Sequence, residues 1–404
     1  MNILFCGPIP AFMKSGNTGG VAMVCWDAAC NSSSRGHDVD IIVLGRYLKF
    51  TKTYNKITLI GLTINPISLI KTIIGYLQGI NRGYFKNASF KDSVQLFSSL
   101  YRLHCVSLRK YDVLHIHGSN YQFELACKII DVKFPVVLTN HSYSDVIYVD
   151  NPKKVQRIIA RRNIQYSNVD TLLHVSLTDR ERGLYLGAKY PSNNHILHNG
   201  IQAAERDIDI KKDVYSDLCF IGSLDDRKGF KELILACDML PPEIYGKLHI
   251  LGTGLQTTWF NARGPQNNSN FVLHGYLAGE KKHLITESCL ALVTPSRSES
   301  FGLIYLEALM SGTPVIGYYK TILEFRNVLD CSEQEEQYLV PFNVDHTDSI
   351  NLLSIEISKI VKVKNAIEHD DVVSRLRRKI IHHYGWDRVI QDMIAIYNET
   401  INTD

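Results

Sequence analysis

Long apolar runs are missing from this chain. None of its 404 residues lie in an uninterrupted apolar stretch of about eighteen, the length from which a membrane-spanning helix is read, so no transmembrane helix is expected. The run from Met1 to Pro8 is too short for a signal peptide and reads as a first strand. The nine cysteines are odd in number, dispersed, mostly flanked by apolar residues, and never spaced Cys-x-x-Cys. That excludes a disulfide framework and points to reduced thiols in a cytoplasm. A strong charge imbalance is also missing. A net charge of +3 is too small to imply nucleic acid, and no such partner is expected. Gly252-Thr253-Gly254 has no third glycine at Thr257 and no acidic residue about twenty positions on, so it is not a dinucleotide fingerprint. Asp38-Val39-Asp40 enters an early strand and Asp207-Ile208-Asp209 falls in a polar stretch. Neither reads as a metal site, and no metal is expected.

One absence is local. From Ile41 to Lys91 there is no Asp or Glu, while Arg46, Lys49, Lys52, Lys56, Lys71, Arg82, Lys86 and Lys91 all occur. Within that span Ile67, Ile70, Ile73, Ile74, Leu77 and Ile80 recur at helical spacing. A basic stretch beside an amphipathic helix signals an anionic membrane surface. The plainer reading is a domain helix packed on its sheet with solvated lysines.

What is present is a repeated strand-then-helix pattern, which implies parallel sheets. The length suits two domains, and 45% apolar with 21% charged residues is the composition of a soluble globular protein. Strands are expected at 3–6, 39–44, 113–117, 136–140, 172–176 and 195–197, with helices at 21–34 and 123–130 and one beginning at Asp179. Residues 203–216 are polar and read as a linker. The pattern restarts with strands at 218–221, 248–251, 271–273 and 290–293 and a helix at 231–237, and a final amphipathic helix runs from Arg388 to Thr400. The expected fold class is α/β, with domains 1–202 and 217–385.

The segment 291–319 carries the most chemistry. A short strand stops at Pro295, a polar loop holds Glu299, and a helix is expected from Ser300 or Phe301 to about Ser311, ended by Gly312 and Pro314. The first turn of a helix offers unpaired N–H groups and a positive dipole end, which suit phosphate, and Gly302 permits close approach of a ligand. Glu299 precedes the helix and Glu307 lies about one and a half turns into it, so each can accept hydrogen bonds from a separate set of ligand hydroxyls. Phosphates in the middle with a sugar at each end describe a nucleotide-sugar. The rival reading, a glycosidase, needs carboxylates about 5 to 9.5 Å apart. Eight helical residues span roughly 12 Å, which favours two binding roles.

This stretch resembles the donor-site motif of retaining family 4 glycosyltransferases of the GT-B fold: Pro295-Ser296, Glu299, Phe301-Gly302-Leu303, then Glu307-Ala308, with Ser300 where the family commonly has Gly. The resemblance covers most of the chain. It implies two doubly wound, Rossmann-like parallel-sheet domains facing a cleft, with the last helix (386–404) crossing back to the N-terminal domain. It also implies that Ser300, Phe301, Gly302 and Leu303 hold the diphosphate through backbone amides, that Glu307 binds ribose and that Glu299 orients the donor sugar. Gly222-Ser223-Leu224 through Lys228-Gly229 resembles the family's cationic phosphate loop. Lys228 matches; Ser223 stands where the family has Arg, and Arg227 is the candidate to compensate. Thr18-Gly19-Gly20-Val21 resembles the glycine-rich loop after the first strand. Val137 to His141 resembles the strand ending in Thr-x-His, whose His touches the transferred sugar, and His117 ends a neighbouring strand on the acceptor side. Gly275 and Tyr276 fall where the family contacts the nucleobase. His198-Asn199-Gly200-Ile201 matches its hinge.

The resemblance implies retaining, metal-independent transfer of a sugar, with UDP the commonest carrier, to a glycan or lipid-linked acceptor in bacterial surface polysaccharide assembly. The nucleotide-sugar is a substrate, so no cofactor is expected. The expected location is cytoplasmic, peripheral on the inner face of the membrane. Two alternatives remain: a sugar-nucleotide epimerase on the same fold, and a non-catalytic nucleotide-sugar-binding subunit, made conceivable by Ser223.

Overall fold

The computed structural model describes residues 1–10, 20–44, 51–61, 65–83, 89–118, 121–143, 146, 149, 151–202, 216–264, 269–364, 366 and 368–402. They form two compact units, Met1–Gly200 with Trp386–Asp404, and Ile201–Gly385. Gly19, Asp207 and Asp209, most of the 203–216 stretch, and Arg46, Lys49 and Lys86 lie outside the described residues.

The first unit holds a sheet of β1 (Asn2–Gly7), β2 (Asp38–Val43), β3 (Lys52–Tyr54), β4 (Ile57–Ile60), β5 (Val113–His117), β6 (Val136–Asn140), β7 (Thr171–His174) and β8 (Asn194–Ile196). Their spatial order is β3-β4-β2-β1-β5-β6-β7-β8. All neighbours run parallel except β3 and β4. That hairpin was not foreseen, because its β3 strand is short and exposed. It turns at Asn55 and Lys56, both at positive φ, the conformation a two-residue hairpin requires.

Alternation along β1 sorts the core into two layers. Leu4 and Cys6 pack with Leu96, Leu100 and Phe123. Ile3 and Phe5 pack with Trp26, Val389, Ile390, Met393 and Tyr397. The final helix, Trp386–Asn402, is therefore part of the first unit's core. Its Thr400 hydroxyl meets that of Thr171 at 2.8 Å. A Cβ at Gly200 would fall 2.3 Å from the Trp386 ring, so only glycine lets the chain leave the unit under that indole.

The second unit is a parallel sheet of β9 (Leu218–Ile221), β10 (Leu248–Leu251), β11 (Phe271–Gly275), β12 (Ala291–Val293), β13 (Val315–Tyr318) and β14 (Leu339–Phe342). The order is β11-β10-β9-β12-β13-β14, with every neighbour parallel. Strand order reverses between β9 and β12, and in the first unit between β1 and β5. Such reversals open a crevice at the carboxyl ends of the strands, where ligands of this architecture bind. Ile201 donates its N–H to the Tyr384 carbonyl at 2.7 Å and bridges Gly385, so the chain enters and leaves the second unit side by side.

Candidate functional site

In the second unit the loops after β9 and β12, on either side of the reversal, meet through charge. Asp225 caps the short 3-10 turn Asp226–Lys228 by accepting from the Lys228 N–H. The chain then reverses through Gly229 at φ +64, where a Cβ would lie 2.2 Å from the Pro295 carbonyl oxygen. That close approach locks the two loops together. Arg297 reinforces the lock: its N–H donates to the Arg227 carbonyl at 2.8 Å, and its guanidinium reaches the Asp226 carbonyl, Glu232 at 2.6 Å and Asp345 at 2.9 Å.

The product of this packing is a buried ion pair. Lys228 Nζ lies 2.5 Å from Glu299 Oε1, and the Ser296 hydroxyl donates to the same oxygen at 2.7 Å. Burial alone pushes the Glu299 carboxyl up. Lys228, Ser296 and Arg227 outweigh it and hold the group below the usual carboxylate range. The Arg227 guanidinium also donates to the Ser223 hydroxyl at 3.4 Å, and that hydroxyl donates to Asp225 at 2.7 Å. Arg227 thus leans toward the position the family gives to arginine.

Backbone approaches surround the pair. A Cβ on Gly252 would lie 1.7 Å from the Gly222 carbonyl oxygen, and one on Gly254 would lie 2.4 Å from that of Leu224. The glycines of the former fingerprint-like loop are there to let two backbones touch. Gly275 ends β11 at φ +70 and Tyr276 beside it is exposed. β11 is the edge strand, two strands or about 10 Å from β9.

The helix after Glu299 begins later than expected. It runs from Leu303 to Met310, with Gly302 at φ +79 as its N-cap residue. Ser300 and Phe301 belong to the preceding turn, and Ser300 does not cap the helix. The Phe301 side chain is buried edge-on against Phe325 and Tyr384, so its ring is closed to a ligand. Gly302 is required twice over, by its left-handed backbone and by Tyr305, whose ring a Cβ there would meet at 2.7 Å. The Tyr305 hydroxyl accepts from the Tyr318 N–H and donates to the Thr294 carbonyl, tying the helix to β12 and β13.

Glu307 stands about one turn into this helix and pairs with Lys282 at 2.7 Å. Each carboxylate therefore has its own ammonium partner. Lys282, Ser296, Arg297 and Tyr305 were not singled out as site residues from sequence. Ser296 lies inside the Pro-Ser motif and was within reach; Lys282 sits on a helix with no motif.

In the first unit, His117 at the end of β5 and His141 just after β6 are joined, Nδ1 to Nε2, at 2.9 Å. His115 lies beside them, bonded to Tyr397 and Thr139, each at 2.6 Å. Burial holds all three rings toward the neutral form: His115 is pushed down to about 3, His141 to about 4, and His117 well below its usual value. Asp179 fixes both flanks of His141, accepting from the Asn140 amide at 2.9 Å and the Tyr143 N–H at 2.8 Å. Gly20 starts the helix Gly20–Ser34, and among the described residues nothing lies within 4 Å of an added Cβ. Asp40 is engaged by Lys110 and Tyr111.

Comparison with known proteins matches the same two halves. A family model described as Glycosyltransferase Family 4 covers residues 18–205, and one described as Glycosyl transferases group 1 covers residues 202–350. An uncharacterized glycosyltransferase of Methanocaldococcus jannaschii is 22% identical over 400 residues, 94% of each chain. An uncharacterized 41.2 kDa protein in the cps region of Klebsiella pneumoniae is 24% identical over 55% of this chain and 65% of its own. Among solved structures, sucrose-phosphate synthase from Thermosynechococcus elongatus superposes with a TM-score of 0.68 at 14% identity, covering 100% of both chains. HepE of Anabaena in complex with UDP and glucose gives 0.67 at 14% identity, covering 99% of this chain and 100% of that one.

Proposed function

The chain belongs to the family 4 glycosyltransferases of the GT-B fold, and from that premise we propose that it transfers a hexose from a nucleoside diphosphate carrier, with retention of configuration, to a glycan or lipid-linked acceptor in surface polysaccharide assembly. The observation that carries this reading is the Lys228–Glu299 pair at the strand-order reversal of the second unit. A leaving diphosphate gains negative charge as the glycosidic bond breaks, and a fixed ammonium at that point stabilises it. Arg227 adds a second cation from the same turn, and the backbone amides of Ser300, Phe301, Gly302 and Leu303 supply neutral donors at a helix start. Glu299 accepts from hydroxyls of the donor sugar. Glu307 takes the ribose hydroxyls, and Gly275 and Tyr276 receive the base through the main chain.

His141 contacts the transferred sugar as a neutral imidazole, bonded to His117 and positioned by Asp179, which accepts from Asn140 and Tyr143 on either side of it. The chemistry needs neither metal nor cofactor on this reading. UDP is the preferred carrier. HepE, which shares the fold, is described in complex with UDP and with UDP-glucose, and TarM of S. aureus in complex with UDP.

The test is thermal stabilisation of the purified protein by UDP, GDP, ADP, NAD and several UDP-sugars. A bound partner raises stability by mass action. A shift with one nucleotide, lost in Glu307→Ala, supports the donor assignment and opens an acceptor screen. No shift with any of them removes the transferase reading in favour of a binding or structural role.

A further inference from the structure

Helix Pro66–Asn81 is packed inside out. Asn65 caps it by accepting from the Ile67 and Ser68 N–H groups, and Pro66 opens it. The face turned to the protein is small and polar: Ser68, Thr72, Gly75 and Gly79. Ser68 donates to the His104 carbonyl at 2.9 Å and Thr72 to the Ser68 carbonyl at 2.7 Å. A Cβ at Gly75 would touch Leu100, His104 and Ile129 at 3.7 to 3.9 Å. The opposite face carries Ile67, Ile70, Ile73, Ile74, Leu77 and Ile80, which are 46% to 65% exposed.

An ordinary domain helix buries its apolar stripe; this one shows it to solvent. The stripe does not end with the helix. Helix Phe90–His104 runs antiparallel beside it, as the Asn65–Tyr101 hydrogen bond and the Tyr76–Phe97 ring contact show. Its first turn therefore lies at the Ile80 end, and there Phe90 is 86% exposed. Contiguous exposed apolar surface of this kind marks an interaction site.

We propose that this face docks on an anionic membrane surface. Charge selects the occupant. No acidic residue occurs from Ile41 to Lys91, and Lys71 on the helix, Arg82 at its end and Lys91 beside Phe90 are all exposed. Lys71 borders the stripe on the helix itself. Apolar side chains at acyl-chain depth with lysines at headgroup level match a lipid surface. A second copy of the chain fits less well, because a two-fold contact sets each basic flank against its like. A protein partner is expected to meet aromatic or Arg anchors at the centre of the patch, and the centre of this one, Ile70, Ile73, Ile74 and Leu77, is aliphatic, with Phe90 at its end. Docking here places the first unit against lipid, which suits the lipid-linked acceptor of the proposed function and otherwise does not depend on it.

The experiment is co-sedimentation of the full chain with phosphatidylcholine vesicles and with vesicles containing phosphatidylglycerol, for the unaltered protein and for Ile70→Asp, Ile74→Asp and Lys71→Glu. The expected result is binding to the anionic vesicles, weaker on neutral ones, with the partition coefficient falling roughly tenfold for each apolar residue replaced. Nucleotide stabilisation measured on the same variants shows that the fold and the donor side are intact. Protein left in the supernatant with anionic vesicles overturns the proposal. So does binding that the variants do not weaken. A dimer in analytical ultracentrifugation that Ile74→Asp dissolves assigns the face to a second copy instead.

Discussion

Lys228 and Glu299 stand 71 positions apart in sequence, yet the Lys228 ammonium lies 2.5 Å from the Glu299 carboxylate. The distance is closed by the parallel sheet, which sets β9 beside β12, and by Gly229, which lets one loop touch Pro295 of the other. Both side chains are nearly buried. A buried pair of this kind costs little when intact and much when halved.

Lys228→Ala is therefore expected to destabilise the second unit by about 3 to 5 kcal/mol at neutral pH. The sign of its pH dependence is fixed by Glu299, whose folded-state carboxyl is depressed. Its contribution is fully present above the unfolded carboxylate value of about 4.3 and is lost as pH falls through the folded value. Denaturant unfolding from pH 7 to pH 3 should show the gap between the two proteins shrinking below about pH 4.3. A gap that stays constant would mean that Glu299 is not charged in the fold.

The three histidines of the first unit make the opposite kind of prediction. Each is held neutral by burial, with His115 near 3 and His141 near 4. The unfolded chain takes up protons on them below about pH 6.5 while the folded chain does not. Stability then falls with pH, by up to about 1.4 kcal/mol per pH unit for each histidine, until the folded values are reached. His117→Gln and His141→Gln should flatten the acid limb of the first unit's unfolding curve between about pH 6.5 and 4. An unchanged slope would mean that these rings are already protonated in the fold.

Gly302 and Gly20 separate a glycine needed by the fold from one not needed by it. Gly302→Ala puts a side chain at φ +79 and 2.7 Å from the Tyr305 ring. The left-handed backbone alone costs about 1 to 2 kcal/mol, or roughly 2 to 8 °C. Gly20→Ala meets nothing within 4 Å among the described residues and is expected to be neutral or up to about 1 kcal/mol more stable. Calorimetry on both variants checks this. If Gly20→Ala nevertheless loses stabilisation by UDP, the glycine serves ligand approach, as the resemblance of the first loop implies.

Much of this architecture could be read along the chain because parallel strands buried on both faces are continuous apolar runs. The run 113–117 was expected at those residues, and so was 218–221. The positions of Glu299, Lys228 and His141 in the loops after β12, β9 and β6 were also legible, since a motif marks each loop. The helix start at 303 was not. Ser300 and Phe301 are good helix-entry residues by type, and only the left-handed Gly302 and the burial of Phe301 against Tyr384 show that the turn comes first. The pairing of His117 with His141 depends on the register of β5 and β6, which no local pattern carries. The inverted helix 66–81 shows the same limit. Periodicity located the apolar stripe, but the face it turns to solvent is decided by what Ser68, Thr72 and Gly75 find beneath them.

Glu307 and Lys282 provide the sharpest separation of binding from stability. Their ion pair is partly exposed, 29% for Glu307 and 18% for Lys282, and such pairs contribute at most about 1 kcal/mol to folding. Glu307→Ala should therefore leave the melting temperature nearly unchanged. If Glu307 accepts from ribose hydroxyls, losing a charged acceptor costs about 1.5 to 3 kcal/mol of binding, which is roughly a 10- to 150-fold weaker affinity for UDP. Lys282→Ala frees the carboxylate without removing it, so UDP affinity should hold or rise slightly. Calorimetric titration of UDP into the three proteins reads all of this at once. Equal affinity for the unaltered protein and Glu307→Ala would remove Glu307 from the donor site and leave it as a helix-to-helix tie.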